Sequence, residues 1–158
     1  MGIYNRILKS VVIISCIFIL ISCNKESFYI FPTDKKGYPN KVILIDNKSY
    51  GLKNFGYDGL GDNIELNVKK SSKSYTKIIL PKLYPTHAWK LEIENDNILK
   101  EYNQIKLDIK ESERRDGYSS ELQQYIINNK EINNKKIIFK WKNLEKKEDP
   151  YIVTLIFN

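Results

Sequence analysis

The residues able to do chemistry in this chain are few. His87 is the only histidine, and Cys16 and Cys23 are the only cysteines. A Ser-His-Asp relay would have to be built on His87, and the Gly-x-Ser-x-Gly turn that presents a hydrolase serine does not occur. One imidazole, with carboxylates as its only companions, is a poor match to the ligand sets that hold zinc. Gly51, Gly56, Gly59 and Gly61 are closely spaced, but the Gly-Lys-Ser/Thr element of a phosphate-binding loop is missing. Glu92 and Glu94 alternate with Leu91 and Ile93, so they read as the wet face of a strand rather than as an acid–base pair. These exclusions predict a protein that is not an enzyme and uses no cofactor and no metal.

The N-terminus reads as an address. Arg6 and Lys9 precede Val11-Val12-Ile13-Ile14-Ser15-Cys16-Ile17-Phe18-Ile19-Leu20-Ile21, an uncharged run too short for a comfortable membrane span. It ends in Leu20-Ile21-Ser22-Cys23, which resembles the lipobox of bacterial lipoproteins. The resemblance implies cleavage before Cys23, a diacylglycerol on its thiol, and anchorage in the cell membrane or the outer membrane, facing the periplasm or the surface. Asn24 rather than aspartate follows the cysteine, which in enteric-type sorting points away from inner-membrane retention. The alternative, a buried cysteine closing a transmembrane helix, is opposed by the polar Asn24-Lys25-Glu26 that follows at once. Cys16 leaves with the signal and Cys23 is modified, so the mature chain is expected to hold no thiol nucleophile, no disulfide and no cysteine metal site.

Removing residues 1–22 leaves 136 of the 158 residues, and the loss of Arg6 and Lys9 lowers the formal charge from +7 to +5. That length suffices for one domain with a core. The basic residues are spread along the chain among Glu and Asp, whereas a nucleic-acid protein concentrates them on one element, so no nucleic-acid partner is expected. The organisation predicted is a signal over 1–22, a lipidated tether over 23–40 with one apolar spot at Phe28-Tyr29-Ile30-Phe31, and a domain over 41–158.

Within the domain, Val42-Ile43-Leu44-Ile45 is a short apolar run. Ile64, Leu66 and Val68 alternate with polar residues, as do Trp89, Leu91 and Ile93, then Ile105, Leu107 and Ile109, then Ile137, Phe139 and Trp141, and finally Tyr151, Val153, Leu155 and Phe157. Short alternating strands broken by turn residues predict an all-β, antiparallel, immunoglobulin-like sandwich. Ser120-Glu121-Leu122-Gln123 has capping-box form, with Leu122, Tyr125 and Ile126 at helical spacing, so a short helix near 120–128 is expected; an irregular strand is the alternative.

One stretch, Thr76-Lys77-Ile78-Ile79-Leu80-Pro81-Lys82-Leu83-Tyr84-Pro85-Thr86-His87-Ala88-Trp89, resembles the first inhibitory segment of the chagasin-like cysteine-protease inhibitors. There a strand ending in Leu passes through a Pro-Thr loop and re-enters the sheet at a Trp. Arg115-Asp116-Gly117-Tyr118 stands where that family has a glycine-rich second loop, and 135–157 resembles its closing hairpin, with Lys140-Trp141-Lys142 in place of Arg-Pro-Trp. The resemblance implies a non-catalytic wedge in a papain-like cleft, formed by Pro85, Thr86, His87, Trp89, Gly117 and Trp141 at one end of the sandwich. The first loop lacks the second Thr and the Gly of the family pattern, so it implies the fold more than the activity. Trp89, more than Trp141, also reads as a plain core residue, and neither needs a binding role to account for it. A second candidate interface is the 51–61 loop with Phe55, Tyr57 and Leu60, clustered apolar residues suited to gripping a partner. The expected partner is a protein: a protease, a toxin neutralised by an immunity lipoprotein, or a component of an envelope or secretion complex.

Overall fold

The computed structural model describes residues 31–93, 95–132 and 136–158. Cys23, the signal over 1–22 and Phe28-Tyr29-Ile30 lie outside the described residues. Among the described residues nine strands follow one another: β1 (Val42–Ile45), β2 (Lys48–Gly51), β3 (Asn63–Val68), β4 (Tyr75–Lys82), β5 (His87–Glu92), β6 (Leu99–Lys106), β7 (Glu121–Asn128), β8 (Lys136–Asn143) and β9 (Tyr151–Phe157). They form two sheets, one ordered β2-β1-β4-β7-β6 and the other β3-β9-β8-β5. Strands β4, β7 and β6 stand as B, E and D of an immunoglobulin-like sandwich, and β5, β8 and β9 as C, F and G. All pairs are antiparallel except β3 with β9, where Ile64 lies opposite Val153 and Leu66 opposite Leu155.

Alternation decides which side chains meet between the sheets. On β9, Tyr151, Val153, Leu155 and Phe157 are buried and the residues between them are not. On β8 the inward residues are Ile137, Phe139 and Trp141. Facing them from the other sheet are Ile43, Ile45, Ile78, Leu80, Tyr125 and Ile127. Trp89 on β5 lies opposite Trp141 on β8 in register, the place of the buried Trp of strand C in this fold.

The 120–128 stretch is strand β7, not the expected helix. Because β7 runs between two neighbours and is buried on both faces, Leu122 and Ile126 fill one face while Tyr125 and Ile127 fill the other. The period of two is thereby hidden, as in any strand with two dry faces. Residues 31–41 also belong to one compact unit with residues 42–158. Phe31, Tyr38 and Pro39 are buried, Thr33 bridges Pro39, and the Asn40 N–H donates to the Pro32 carbonyl at 2.9 Å. Turn chemistry had marked these residues as tether, whereas the turn folds its aromatic residue back onto the sandwich.

Candidate functional site

Both β1 and β4 place the same end of the sandwich beside the 83–86 turn, and five connecting segments converge there: 32–41, 52–62, 83–86, 107–120 and 144–150. Backbone hydrogen bonds tie them together. Ser119 N–H donates to the Leu83 carbonyl at 2.9 Å, Leu144 N–H to Thr86 at 2.8 Å, and Ile152 N–H to Asp62 at 2.8 Å. The 32–41 segment is held against 107–120 by the Arg115–Asp34 ion pair at 3.1 Å and by the hydrogen bond from Arg115 N–H to the Tyr38 hydroxyl. Burial opposes ionisation of Asp34, but the N–H groups of Tyr38 and Lys36 and the Arg115 guanidinium outweigh it and hold its carboxyl below the usual value.

A row of aromatic rings crosses this end. Tyr57 contacts Tyr84 with centroids 4.3 Å apart, Tyr84 contacts Tyr118 at 5.6 Å, and Tyr118 meets Tyr38 edge-on at 5.9 Å. The Arg115 guanidinium lies over both Tyr38 and Tyr118, 4.8 and 5.7 Å from their centroids. Tyr57 and Tyr118 are 53% and 48% exposed, and Leu144 on the neighbouring 144–150 loop is 63% exposed, so this end offers large apolar surface to solvent. A concavity of about 260 Å³ opens beside the row, between Tyr38, Tyr84, Tyr118 and the 39–41 segment. Another, of about 590 Å³, lies on the far side of Tyr118.

Beneath the row sits His87. It is buried, stacked on Trp141 at 5.3 Å, and met edge-on by Tyr57 at 5.2 Å and by Tyr84 at 5.5 Å, with Nδ1 3.0 Å from the Thr86 hydroxyl. Burial lowers its pKa below the ordinary 6.5, and the Glu148 carboxylate pulls the other way. The unfolded chain therefore takes up this proton first as pH falls. Stability from His87 is complete above pH 6.5 and declines below it, until the folded-state value is passed. Urea midpoints measured between about pH 7.5 and about pH 5.5 should fall in the parent and fall less in His87→Gln; equal slopes would remove the histidine from this account.

The structure brings some of the expected site residues together and withdraws others. Pro85 is exposed, Thr86 half-buried, and Gly117 exposed at φ 76, in the left-handed region where glycine is at ease. Trp89 and Trp141 are core residues, 3% and 0% exposed, and leave the candidate surface. A strand position opposite another Trp puts each ring between the sheets. Phe55, expected on an exposed loop, is fully buried: it stacks on Trp89 at 5.1 Å and touches Trp141 at 5.2 Å and Tyr151 at 5.3 Å. Leu60 packs partly against the same core, which leaves Tyr57 as the surface member of that loop. The two candidate interfaces, 51–61 and 85–89, are one surface joined at Tyr57 and Tyr84. Tyr38, Tyr84, Tyr118, Arg115 and Leu144 were not among the residues expected there. Their signal was local: Tyr38, Tyr57, Tyr84 and Tyr118 each adjoin a Gly or a Pro, which sets a large ring on a turn.

The 52–62 loop is anchored rather than loose. The Tyr151 hydroxyl donates to the Lys53 carbonyl at 2.7 Å, and burial pushes its pKa up to about 12. A Cβ on Gly59 would stand 1.9 Å from the Asn54 carbonyl oxygen, whereas one on Gly51 meets nothing within 4 Å. Gly59→Ala should therefore cost about 2 kcal/mol, as overpacking does, while Gly51→Ala stays within about 0.5 kcal/mol of the parent. Comparing their urea midpoints checks this, and equal effects would mean that the loop is free to shift.

Among the described residues no group of His, Cys, Asp or Glu is arranged to hold a metal ion, and no helix is long and apolar enough to cross a membrane. No protein-family model matches the chain, and the comparisons with curated proteins and with solved structures give no match. The class defined is therefore that of the fold: an immunoglobulin-like β-sandwich whose 83–86, 107–120 and 144–150 loops share one end.

Proposed function

We propose that this chain is an exported lipoprotein, anchored in the cell or outer membrane through lipid on Cys23, whose sandwich is a non-enzymatic protein-binding module. The observation that carries the binding half is the contiguous aromatic row Tyr57–Tyr84–Tyr118–Tyr38, partly exposed on loops and backed by the rigid His87–Trp141 stack. Tyrosine supplies contact area with few rotatable bonds and keeps a hydroxyl for a polar partner, the features that concentrate binding energy in a few residues. The anchor rests on Leu20-Ile21-Ser22-Cys23 and the short apolar run before it. Two or more acyl chains would make attachment stable where one is marginal.

Protease inhibition is the form of this reading that the chagasin-like resemblance favours, and one observation supports it: the three segments carrying that resemblance meet at one end. The wedge would differ from the family's, since Trp141 is buried and Leu144 and Tyr118 take the exposed places. Envelope scaffolding and toxin neutralisation use the same surface on other partners.

Two measurements test the proposal. Labelled palmitate should be incorporated into the parent and not into Cys23→Ser; equal labelling of the two would sink the anchor. A photo-crosslinking phenylalanine analogue in place of Tyr57 or Tyr118 in producing cells should form adducts that the same analogue at Tyr75 or Tyr102, exposed tyrosines on strands, does not. Adducts from the strand positions alone would move the interface to a sheet. Titrating a papain-like protease with the mature chain separates inhibition from the other partners.

A further inference from the structure

The chain enters the sandwich at the end that carries the aromatic row. Tyr38 lies against Tyr118, Asp34 against Arg115, and the Pro32 carbonyl accepts from Asn40, so residues 32–41 belong to the same surface as the 83–86 and 107–120 loops. Only seven residues separate Phe31 from Cys23, and the eight Cα steps between them span at most about 29 Å when fully extended. The longest strands hold eight residues, which makes the sandwich about 27 Å tall. The opposite end, with the turns at 46–47, 69–74 and 129–132, thus lies a full strand length from the end that carries residues 32–41.

Resting on the lipid anchor proposed above, we infer that the aromatic end works close to the bilayer, and that its partner is a protein whose contact surface lies near the membrane holding the anchor, since Phe31 can stand no farther than about 29 Å from it. A partner reached farther out would have to bind the opposite end or a sheet face. Charge favours a protein over lipid headgroups as the occupant. The five segments at this end carry ten acidic against nine basic residues, although the chain as a whole is strongly basic. An anionic bilayer attracts basic clusters, and this end has no net positive charge to offer. Exposed tyrosines amid charges of both signs suit a polar-rimmed protein contact.

The test uses the full lipidated chain in phosphatidylcholine vesicles that carry an acceptor dye at the bilayer surface. On the lipoprotein reading neither native cysteine leaves a thiol, so a single introduced cysteine takes the donor dye: Tyr118→Cys or Leu144→Cys at the aromatic end, Ser72→Cys or Lys130→Cys at the other. Transfer from 118 and 144 should exceed that from 72 and 130 by about two-fold, as a separation of one strand length along the tethered axis requires. Inserting twenty Gly/Ser residues after Ser27 should erase the difference. Equal or reversed transfer with the native tether, in protein that floats with the vesicles, overturns the orientation and leaves the anchor standing. Protein that does not float overturns both. If phosphatidylglycerol in the vesicles raises transfer from 118 and 144, headgroups rather than a protein occupy this end, and the inferred partner is wrong.

Discussion

Replacing Trp141 by alanine is expected to destabilise the sandwich by about 4 kcal/mol, the middle of the range for large-to-small changes at a buried aromatic. The ring is fully buried and meets Phe55, Trp89 and His87 with centroids between 5.2 and 5.4 Å. Its loss removes the floor on which His87, and through it Tyr57 and Tyr84, rest. A domain of this size holds on the order of 5–15 kcal/mol in total, so the variant should melt roughly 15 °C lower and bind its partner poorly while folded. Phenylalanine makes a sharper comparison. The Trp141 indole N–H is buried with no hydrogen-bond partner among the described residues, whereas that of Trp89 donates to the Pro81 carbonyl at 2.8 Å. Trp141→Phe therefore loses volume alone, while Trp89→Phe also strands an acceptor and should cost about 1 kcal/mol more. Circular dichroism melts of the three variants decide it: an unchanged Trp141→Ala midpoint, or Trp141→Phe the worse of the phenylalanine pair, would contradict this core.

Strands β8 and β9, each with one wet face, could be read from the chain, and β7, with both faces largely dry, could not. On β9 and β8 every second residue is apolar and turned inward, so their place in a sandwich followed from alternation. Strand β7 misled because Leu122 and Ile126 sit on one dry face and Tyr125 and Ile127 on the other, a spacing that also fits a helix. The edges of the fold were legible in part: 105–109 alternates in sequence, but β6 runs Leu99–Lys106, with a bulge near its start, and the residues after it turn into the 107–120 loop. For the site, Pro85, Thr86 and Gly117 could be placed because turns have a composition. The burial of Phe55 and Trp141 depends on what faces them across the sheets, and the row of tyrosines on the meeting of four separate segments. Neither contact is local in sequence, which is why Tyr57 was grouped with Phe55 instead of with Tyr84.

Gln123 shows how far a local reading can stand from a residue's task. In sequence it closes a capping box; in the fold it crosses between the sheets to the backbone of Trp89. Its side-chain oxygen accepts from Trp89 N–H at 2.8 Å, and its amide donates to the Trp89 carbonyl at 3.1 Å and to the Tyr102 and Tyr125 hydroxyls at 3.0 and 3.2 Å. The Tyr125 hydroxyl, whose pKa burial raises, donates to that carbonyl as well. Strand β5 has a neighbour on one side only, so Gln123 supplies the hydrogen bonds that a further strand would otherwise supply. Gln123→Leu keeps the volume but leaves the buried Trp89 N–H without a partner and is expected to cost about 3 kcal/mol. Gln124→Leu, at the half-buried position next to it, should cost under about 0.5 kcal/mol. The consequence extends past stability, because an uncapped edge strand is a template for pairing with another chain. Gln123→Leu should therefore exchange its Trp89 amide faster and self-associate as concentration rises, while Gln124→Leu stays as dispersed as the parent. Hydrogen exchange and sedimentation read the two effects separately: fast exchange without association would confine Gln123 to stability, and slow exchange at Trp89 would refute the capping altogether.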